Sequence, residues 1–333
     1  MYGGLTFEEV FGIRSGGMFL RNLLYAIPRS LKNQAFQVDI SSLGFLRPDL
    51  SIPAYLGIYP RDRLAPIYHL FDRTGGGKRY SHRITRRYCR DYRGQRLTYD
   101  EHNGVDFVCP PGTPICAAAA GHVVYIRRRF LRGGTTLIID HGYGLVTHYT
   151  HIARPLKKIG DFVRTGEEIA ISGAQGMDMT LFFPWIPPHL HFTVFFQGRP
   201  VDPFLAPQEE DRPGTWARRN DPRPQQVVPK EPEPPFSEVN EEVIAILWDK
   251  VSDGEIRREM EQVRGNNHAL AALLEDSLLH DELLWPEEVR SLSLRMADSA
   301  SLRKAQEIKL YLPLSASLYD GAKIADEFEI FSR

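Results

Sequence analysis

A chain of 333 residues with 42% hydrophobic content is long enough to bury a substantial core, and its length favours two domains over one. The formal net charge of −1 hides an asymmetry: residues 237–333 hold twenty Asp and Glu against eleven Lys and Arg, so the rest is basic and two separable units are expected. No apolar run approaches the roughly 18 residues of a membrane-spanning helix, and the odd count of Cys89, Cys109 and Cys116 argues for reduced or buried thiols rather than a disulfide framework.

Residues 1–96 form a mixed N-terminal region of short apolar runs broken by Pro and Gly, without a clean period. Its opening, "MYGGLTFEEVFGIR", carries Glu8 and Glu9 where an export signal would have Lys or Arg, so no signal peptide is readable. "RTGGGKRY" (73–80) lacks the P-loop spacing and reads as a loop. The basic segment 78–96 holds eight Lys and Arg and three tyrosines. It reads as a solvated strand or a docking face for the acidic C-terminal region, in preference to a single-stranded nucleic-acid surface.

From 97 to 204 the texture changes to short β-branched runs cut by Gly and Pro, such as "GHVVYIRR", "TTLIIDHG", "GLVTHYTHI" and "PHLHFTVFFQG", which predicts an all-β sheet or barrel-like unit. Residues 205–236 are dense in Pro and charge and read as an extended linker or surface wrap. After Ser237 as N-cap, apolar residues at helical spacing predict a helix closed by Gly254. Further helices are expected at about 255–264, 268–284 and 287–310, making 237–333 an acidic helical domain.

Three pieces of the β unit carry chemistry. In "PHLHF", His189 and His191 are two apart on a strand, so both imidazoles project from one face. In "HNGVD", His102 and Asp106 are four apart around an Asn-Gly turn. With one histidine of the later pair they would make the three-ligand set of a catalytic zinc, which leaves a fourth coordination place for water. In "DHGYGLVTHYTHI", His148 and His151 lie near the end of an apolar strand, and either can face the same site.

These motifs in this order, with the turn pattern "KKIGDFVRTGEEIAISG" and the closing "GRPVDPF", resemble the lysostaphin-type, LytM-like zinc metallopeptidase domain over about residues 97–204. The resemblance implies a mainly β catalytic domain, compact and antiparallel, which with the helical C-terminal region makes the chain α+β. It implies a zinc endopeptidase acting on peptide cross-links or stem peptides of bacterial peptidoglycan, with one Zn2+ per chain. Matched residue by residue, it makes His102, Asp106 and His191 the metal ligands and His151 and His189 the catalytic histidines. It also implies a periplasmic, cell-wall or extracellular place of action.

The chain departs from that pattern in two places. Thr193 follows "HLHF" where a Glu is frequent, and the apolar segment 177–187 is longer than usual; it is expected to pack on the N-terminal region, or to wall or cover the groove. His141 reads as structural and His148 as a supporting residue. His69, His82, His122, His268 and His280 read as ordinary surface or core histidines, and Asp140 as a residue able to orient a ring. The alternatives are an inactive peptidoglycan-binding or hydrolase-regulating scaffold of the same fold, a biotinyl- or lipoyl-like carrier, disfavoured because no Lys lies between Leu97 and Ile152, and a cupin-type site, disfavoured because no Glu follows at 193–196. Nucleic acid is an unlikely ligand, and the C-terminal helices are open to a protein partner.

Overall fold

Strands form where β-branched and aromatic residues alternate between Gly and Pro breaks. The computed structural model describes residues 4–13, 46–69, 71, 102–130, 133–176, 179–180, 182–204, 222–251, 254, 256–276, 289, 292–296 and 298–325, and the backbone alone of 85–90, 96–98, 255 and 277–279. The N-terminal elements are α1 (Phe7–Phe11), α2 (Pro48–Tyr55), β1 (Leu64–His69), β2 (Thr85–Arg90) and β3 (Arg96–Thr98). Then come β4 (Val105–Val108), β5 (Pro114–Cys116), β6 (Gly121–Arg129), β7 (Gly134–Asp140), β8 (Leu145–Pro155), β9 (Phe162–Val163), β10 (Glu168–Ser172), β11 (His189–Phe196) and β12 (Arg199–Val201). The C-terminal stretch adds β13 (Glu238–Val239), α3 (Glu241–Lys250), α4 (Gly254–Gln262), α5 (Asn267–Leu279), β14 (Arg295–Met296), α6 (Ser299–Glu307) and β15 (Gly321–Ile324). The chain is α+β, and residues 105–201 are mainly β.

An 11-stranded sheet runs β15-β1-β4-β11-β8-β7-β6-β9, with β10 joined to β5 and β8 and β12 to β11. The pairs are antiparallel except β1 with β15. One face is closed by Ile67, Phe107, Tyr149, Leu190, Phe192 and Val194, and the C-terminal residues Leu310, Leu312, Leu314 and Tyr319 pack into the same core. On the other face Val124, Ile138, Val146 and Phe195 are covered by apolar residues of α3, α4 and α5. A third cluster joins Val10 and Phe11 of α1, Ala54 and Tyr55 of α2, and Met179 and Ile186.

Alternation therefore splits β11 between two faces. Leu190, Phe192 and Val194 enter the core, while His189, His191, Thr193 and Phe195 share the opposite face, where Phe195 packs under the C-terminal helices.

The C-terminal helices differ from expectation at three points. Asn240, not Ser237, caps α3, its side chain accepting from the Val243 N–H at 3.2 Å, while the buried Ser237 hydroxyl donates to Asp140 Oδ1 at 2.6 Å. Helix α3 ends at Lys250, and Gly254 opens α4 instead of closing α3. The expected helix 287–310 is interrupted by β14, because Arg295 is drawn to full burial between Glu275 Oε1 at 2.7 Å and Asp140 Oδ2 at 3.2 Å, a tertiary demand that overrides helix propensity. Helix α6 then starts afresh on Asp298.

Candidate metal centre

Register builds the site. Asp106 on β4 lies opposite His191 on β11, and His191 lies opposite Thr150 on β8, so these residues form a row across the sheet. His102 precedes β4 and returns to the row across Gly104. A Cβ at Gly104 would fall 2.6 Å from the Phe192 carbonyl oxygen and 2.9 Å from His191 Cε1, so this close approach requires glycine.

Two imidazole nitrogens and the two carboxylate oxygens of Asp106 converge. His102 Nε2 is 3.1 Å from His191 Nδ1 and 3.2 Å from Asp106 Oδ2, and His191 Nδ1 is 2.8 Å from Asp106 Oδ1. Zn–N and Zn–O bonds of about 2.0–2.1 Å in a tetrahedron separate neighbouring ligand atoms by roughly 3.3 Å. The spacings of 2.8, 3.1 and 3.2 Å lie within about half an ångström of that edge, the two imidazole nitrogens meeting different oxygens of Asp106, and the donor set fits the metal. His102 and His191 are each 15% exposed against 3% for Asp106, so the cluster opens to solvent on its imidazole side.

Hydrogen bonds around the rings select tautomers. Asn103 Oδ1 and Thr193 Oγ1 each lie 3.0 Å from His191 Nε2, which places the proton there and leaves the Nδ1 lone pair for the cluster. His189 Nδ1 donates to the Pro187 carbonyl at 2.8 Å, and His151 Nδ1 to the Gln175 carbonyl at 2.6 Å, so each neutral ring presents Nε2 as its basic nitrogen. The two ring centroids are 4.7 Å apart, and His189 Nε2 is 3.6 Å from Asp106 Oδ1.

Burial alone would raise the Asp106 pKa, but the surrounding imidazoles, His102 and His189 foremost, hold it well below the usual carboxylate range. Burial lowers the His191 pKa against the opposing pull of Asp106, favouring the neutral imidazole.

His151 reaches the site through a bulge. On β7 Leu137 opposes Tyr149 and Thr135 opposes Ile152, so β8 spends one residue more than its partner, and His151 takes a left-handed φ of 64°. Tyr149 and Ile152 stay in the core while His151 turns toward His189.

The other candidates separate from the site. His148 is buried under α5, stacks on Phe195 at 4.3 Å and lies 3.8 Å from Asp276; burial, with Arg127 and Arg295 nearby, pushes its pKa well down. His141 donates from Nδ1 to the Ala120 carbonyl at 2.8 Å and meets the Thr147 hydroxyl at 2.7 Å, a structural role. Asp140 orients no ring of the site and instead holds Arg295, Ser237 and the Gly142 N–H. His122 and His268 both stack on Phe236. His82, His280 and the side chains of the basic segment 78–96 lie outside the described residues. In the segment 177–187, Met179 and Ile186 are buried against α1 and α2, Phe183 meets Phe11 at 5.3 Å and Tyr55 at 4.8 Å edge-on, and the Trp185 carbonyl accepts from the Arg47 N–H at 2.9 Å. The segment packs on the N-terminal region.

His69 corrects the sequence reading. Far from being an ordinary core histidine, it is buried with Nδ1 at 2.9 Å from Asp106 Oδ2, and His69, His102 and Asp106 bring their donor atoms within 4.8 Å of one another.

Comparison with known families matches residues 100–203 to Peptidase family M23. Over 105 residues the chain is 37% identical to the peptidoglycan DD-endopeptidase ShyB of Vibrio cholerae and 36% identical to ShyA of the same organism, in matches covering 32% of this chain and 23% of each relative. Among solved structures, a zinc containing peptidase from Vibrio cholerae is 31% identical, with 42% of this chain and 41% of that chain covered and a TM-score of 0.30. The catalytic domain of lysostaphin from Staphylococcus simulans is 29% identical, with 32% and 79% covered and a TM-score of 0.28. The chain spans about a quarter of the length of the curated relatives it matches. Residues 100–203 are a Peptidase family M23 domain.

Proposed function

We propose that this domain is a zinc metalloendopeptidase that hydrolyses peptide bonds in the cross-links or stem peptides of bacterial peptidoglycan. The observation that carries the reading is the convergence of His102 Nε2 and His191 Nδ1 on each other and on the Asp106 carboxylate at 2.8 to 3.2 Å, beside two imidazoles whose Nδ1 atoms are tied to backbone carbonyls. The similarity to two peptidoglycan DD-endopeptidases supports the substrate class.

His102, Asp106 and His191 hold the metal. Zinc supplies Lewis acidity there, polarising a carbonyl and bringing the pKa of water toward 7. The protein's own groups handle protons. With their Nε2 atoms basic and their rings adjacent, His151 and His189 divide two tasks: one accepts the proton of the attacking water and returns it to the leaving amine nitrogen. The other, when protonated, donates from Nε2 to the developing oxyanion. Because each Nδ1 is engaged by a fixed carbonyl, the rings need no reorientation between these steps. An inactive scaffold of the same fold is disfavoured, since all five positions keep residues competent for their roles.

The test pairs metal content with activity. Wild type and His191→Ala are analysed for zinc by atomic emission while peptide release from purified sacculi is followed on the same samples. About one zinc per chain in the wild type, lost with activity in the variant, is expected. A wild type without metal removes the reading, and metal without peptide release transfers support to the scaffold.

A further inference from the structure

We infer that His69, on a strand outside residues 100–203, is a positioning residue of the metal centre, holding the Asp106 carboxylate by a hydrogen bond to its second oxygen. The inference rests on the assignment of Asp106 as a metal ligand.

The backbone brings the ring to the carboxylate. Strand β1 pairs antiparallel with β4, Ile67 opposite Phe107 and His69 opposite Asp106, so two residues of β1 are spent against one of β4. This bulge reverses the face that simple alternation would assign: Ile67 lies in the core, and His69 turns out to the row containing Asp106 and His191.

The chemistry then sorts the two oxygens of Asp106. Oδ1 is 2.8 Å from His191 Nδ1, and Oδ2 is 2.9 Å from His69 Nδ1 and 3.2 Å from His102 Nε2. In the metal-binding state His102 and His191 direct lone pairs, not protons, at the metal, so neither donates to the carboxylate. His189 Nε2, at 3.6 Å from Oδ1, is beyond hydrogen-bond range, and its Nδ1 already donates to the Pro187 carbonyl. Of the four imidazoles around Asp106, His69 is the one placed to donate, from Nδ1 to Oδ2, and that bond leaves Oδ1, beside His191, for the metal. A ligating carboxylate held in this way keeps one rotamer and presents one oxygen, and loss of such a support typically costs 10–100-fold in metal affinity. The sites of zinc capture and of N-terminal strand docking are thereby the same carboxylate.

The test titrates zinc into the metal-free full chain against a chelating indicator. It compares wild type with His69→Ala and with His69→Asn, whose side-chain Nδ2 stands near the position of imidazole Nδ1. Circular dichroism reports whether each variant is folded, and His69→Leu, which fills the same space without a donor, replaces the alanine variant if that one does not fold. The expected result is zinc affinity about 10–100-fold weaker without the donor, restored to within a few-fold by His69→Asn, with the cobalt(II)-substituted absorption bands unchanged in position and intensity. Wild-type affinity in the donor-free variant, or no recovery with asparagine, overturns the inference. So does a change in the cobalt bands, which would make His69 a ligand itself. A wild type that binds no zinc would instead bring down the functional reading above.

Discussion

The tautomer of His191 can be tested through the two acceptors at its Nε2. Asn103 Oδ1 and Thr193 Oγ1 both lie at 3.0 Å, so they share one N–H, and Thr193 stands where the resemblance to lysostaphin-type domains implies Glu. A neutral intramolecular hydrogen bond contributes about 1 kcal/mol net. With Thr193→Val the N–H turns wholly to Asn103, and with Asn103→Ala it turns wholly to Thr193. Each single change should therefore weaken zinc binding only about twofold. Removing both leaves a partly buried donor with neither acceptor, a cost of about 1–3 kcal/mol, and frees the ring to place its proton on Nδ1. That corresponds to roughly 5- to 150-fold in affinity. The assay is competition for zinc between the metal-free chain and a chelating dye, run as a double-mutant cycle. A Thr193→Val variant as weak as the double variant, or a double variant within twofold of wild type, would refute the shared-donor argument and with it the assignment of Nδ1 as the metal-facing atom.

Packing and charge set three further outcomes. Arg295→Met strips the fully buried Glu275 and Asp140 of their guanidinium and should cost about 3–5 kcal/mol. Burial already raises the Glu275 pKa against Arg295, so its folded value lies above its unfolded one; the stability that this shift contributes is present below the unfolded pKa and lost as pH rises through the folded pKa. The variant widens that shift, so thermal melts should show a larger deficit at pH 7.5 than at pH 5, and an equal deficit at both would contradict the linkage. Ile186→Ala, at a site 1% exposed between α1 and α2, should destabilise by about 2–5 kcal/mol in chemical denaturation, whereas a free lid residue would show almost no change. Burial raises the thiols of Cys109 and Cys116 to about 12, so peptide mapping after alkylation of the native chain at pH 8 should find both unmodified, and labelling of either before unfolding would count against their burial.

The two-residue period of a strand made part of the site legible in the sequence. The pair His189 and His191 shares a face because residues two apart on a strand must, and the Asn-Gly between His102 and Asp106 marks a turn because only glycine tolerates the approach of His191 and Phe192. The illegible part lies where alternation fails. His151 and His69 both arrive through bulges, and a bulge is set by the register of the partner strand, not by the strand's own sequence. The family resemblance named His151; nothing marked His69, which sits 37 residues before its partner in a region without clean period. The segment 177–187 announced its apolar character but not the helices it would meet, and the break before Arg295 depended on acidic groups 20 and 155 residues away.

Much of the support for the site originates before residue 100. Besides His69, two other groups from that region grip the elements that carry chemistry. Val10 of α1 accepts the Ala174 N–H at 2.8 Å, and the Glu9 carbonyl accepts from Gln175 Nε2 at 2.7 Å, fixing the residue whose own carbonyl orients His151. On the far side, the Arg47 N–H donates to Trp185 and the Ser51 hydroxyl faces the carbonyls of Pro184 and Ile186, fixing the approach to Pro187, whose carbonyl orients His189. The proposed ligand carboxylate and both proposed catalytic rings are therefore each one or two contacts from the N-terminal region. Catalysis depends on such groups being held within about half an ångström of a productive geometry. The unit that specifies this site is thus larger than the stretch that carries its motif: residues 100–203 supply the five side chains proposed to ligate and react, and β1, α1 and α2 set how firmly they are held.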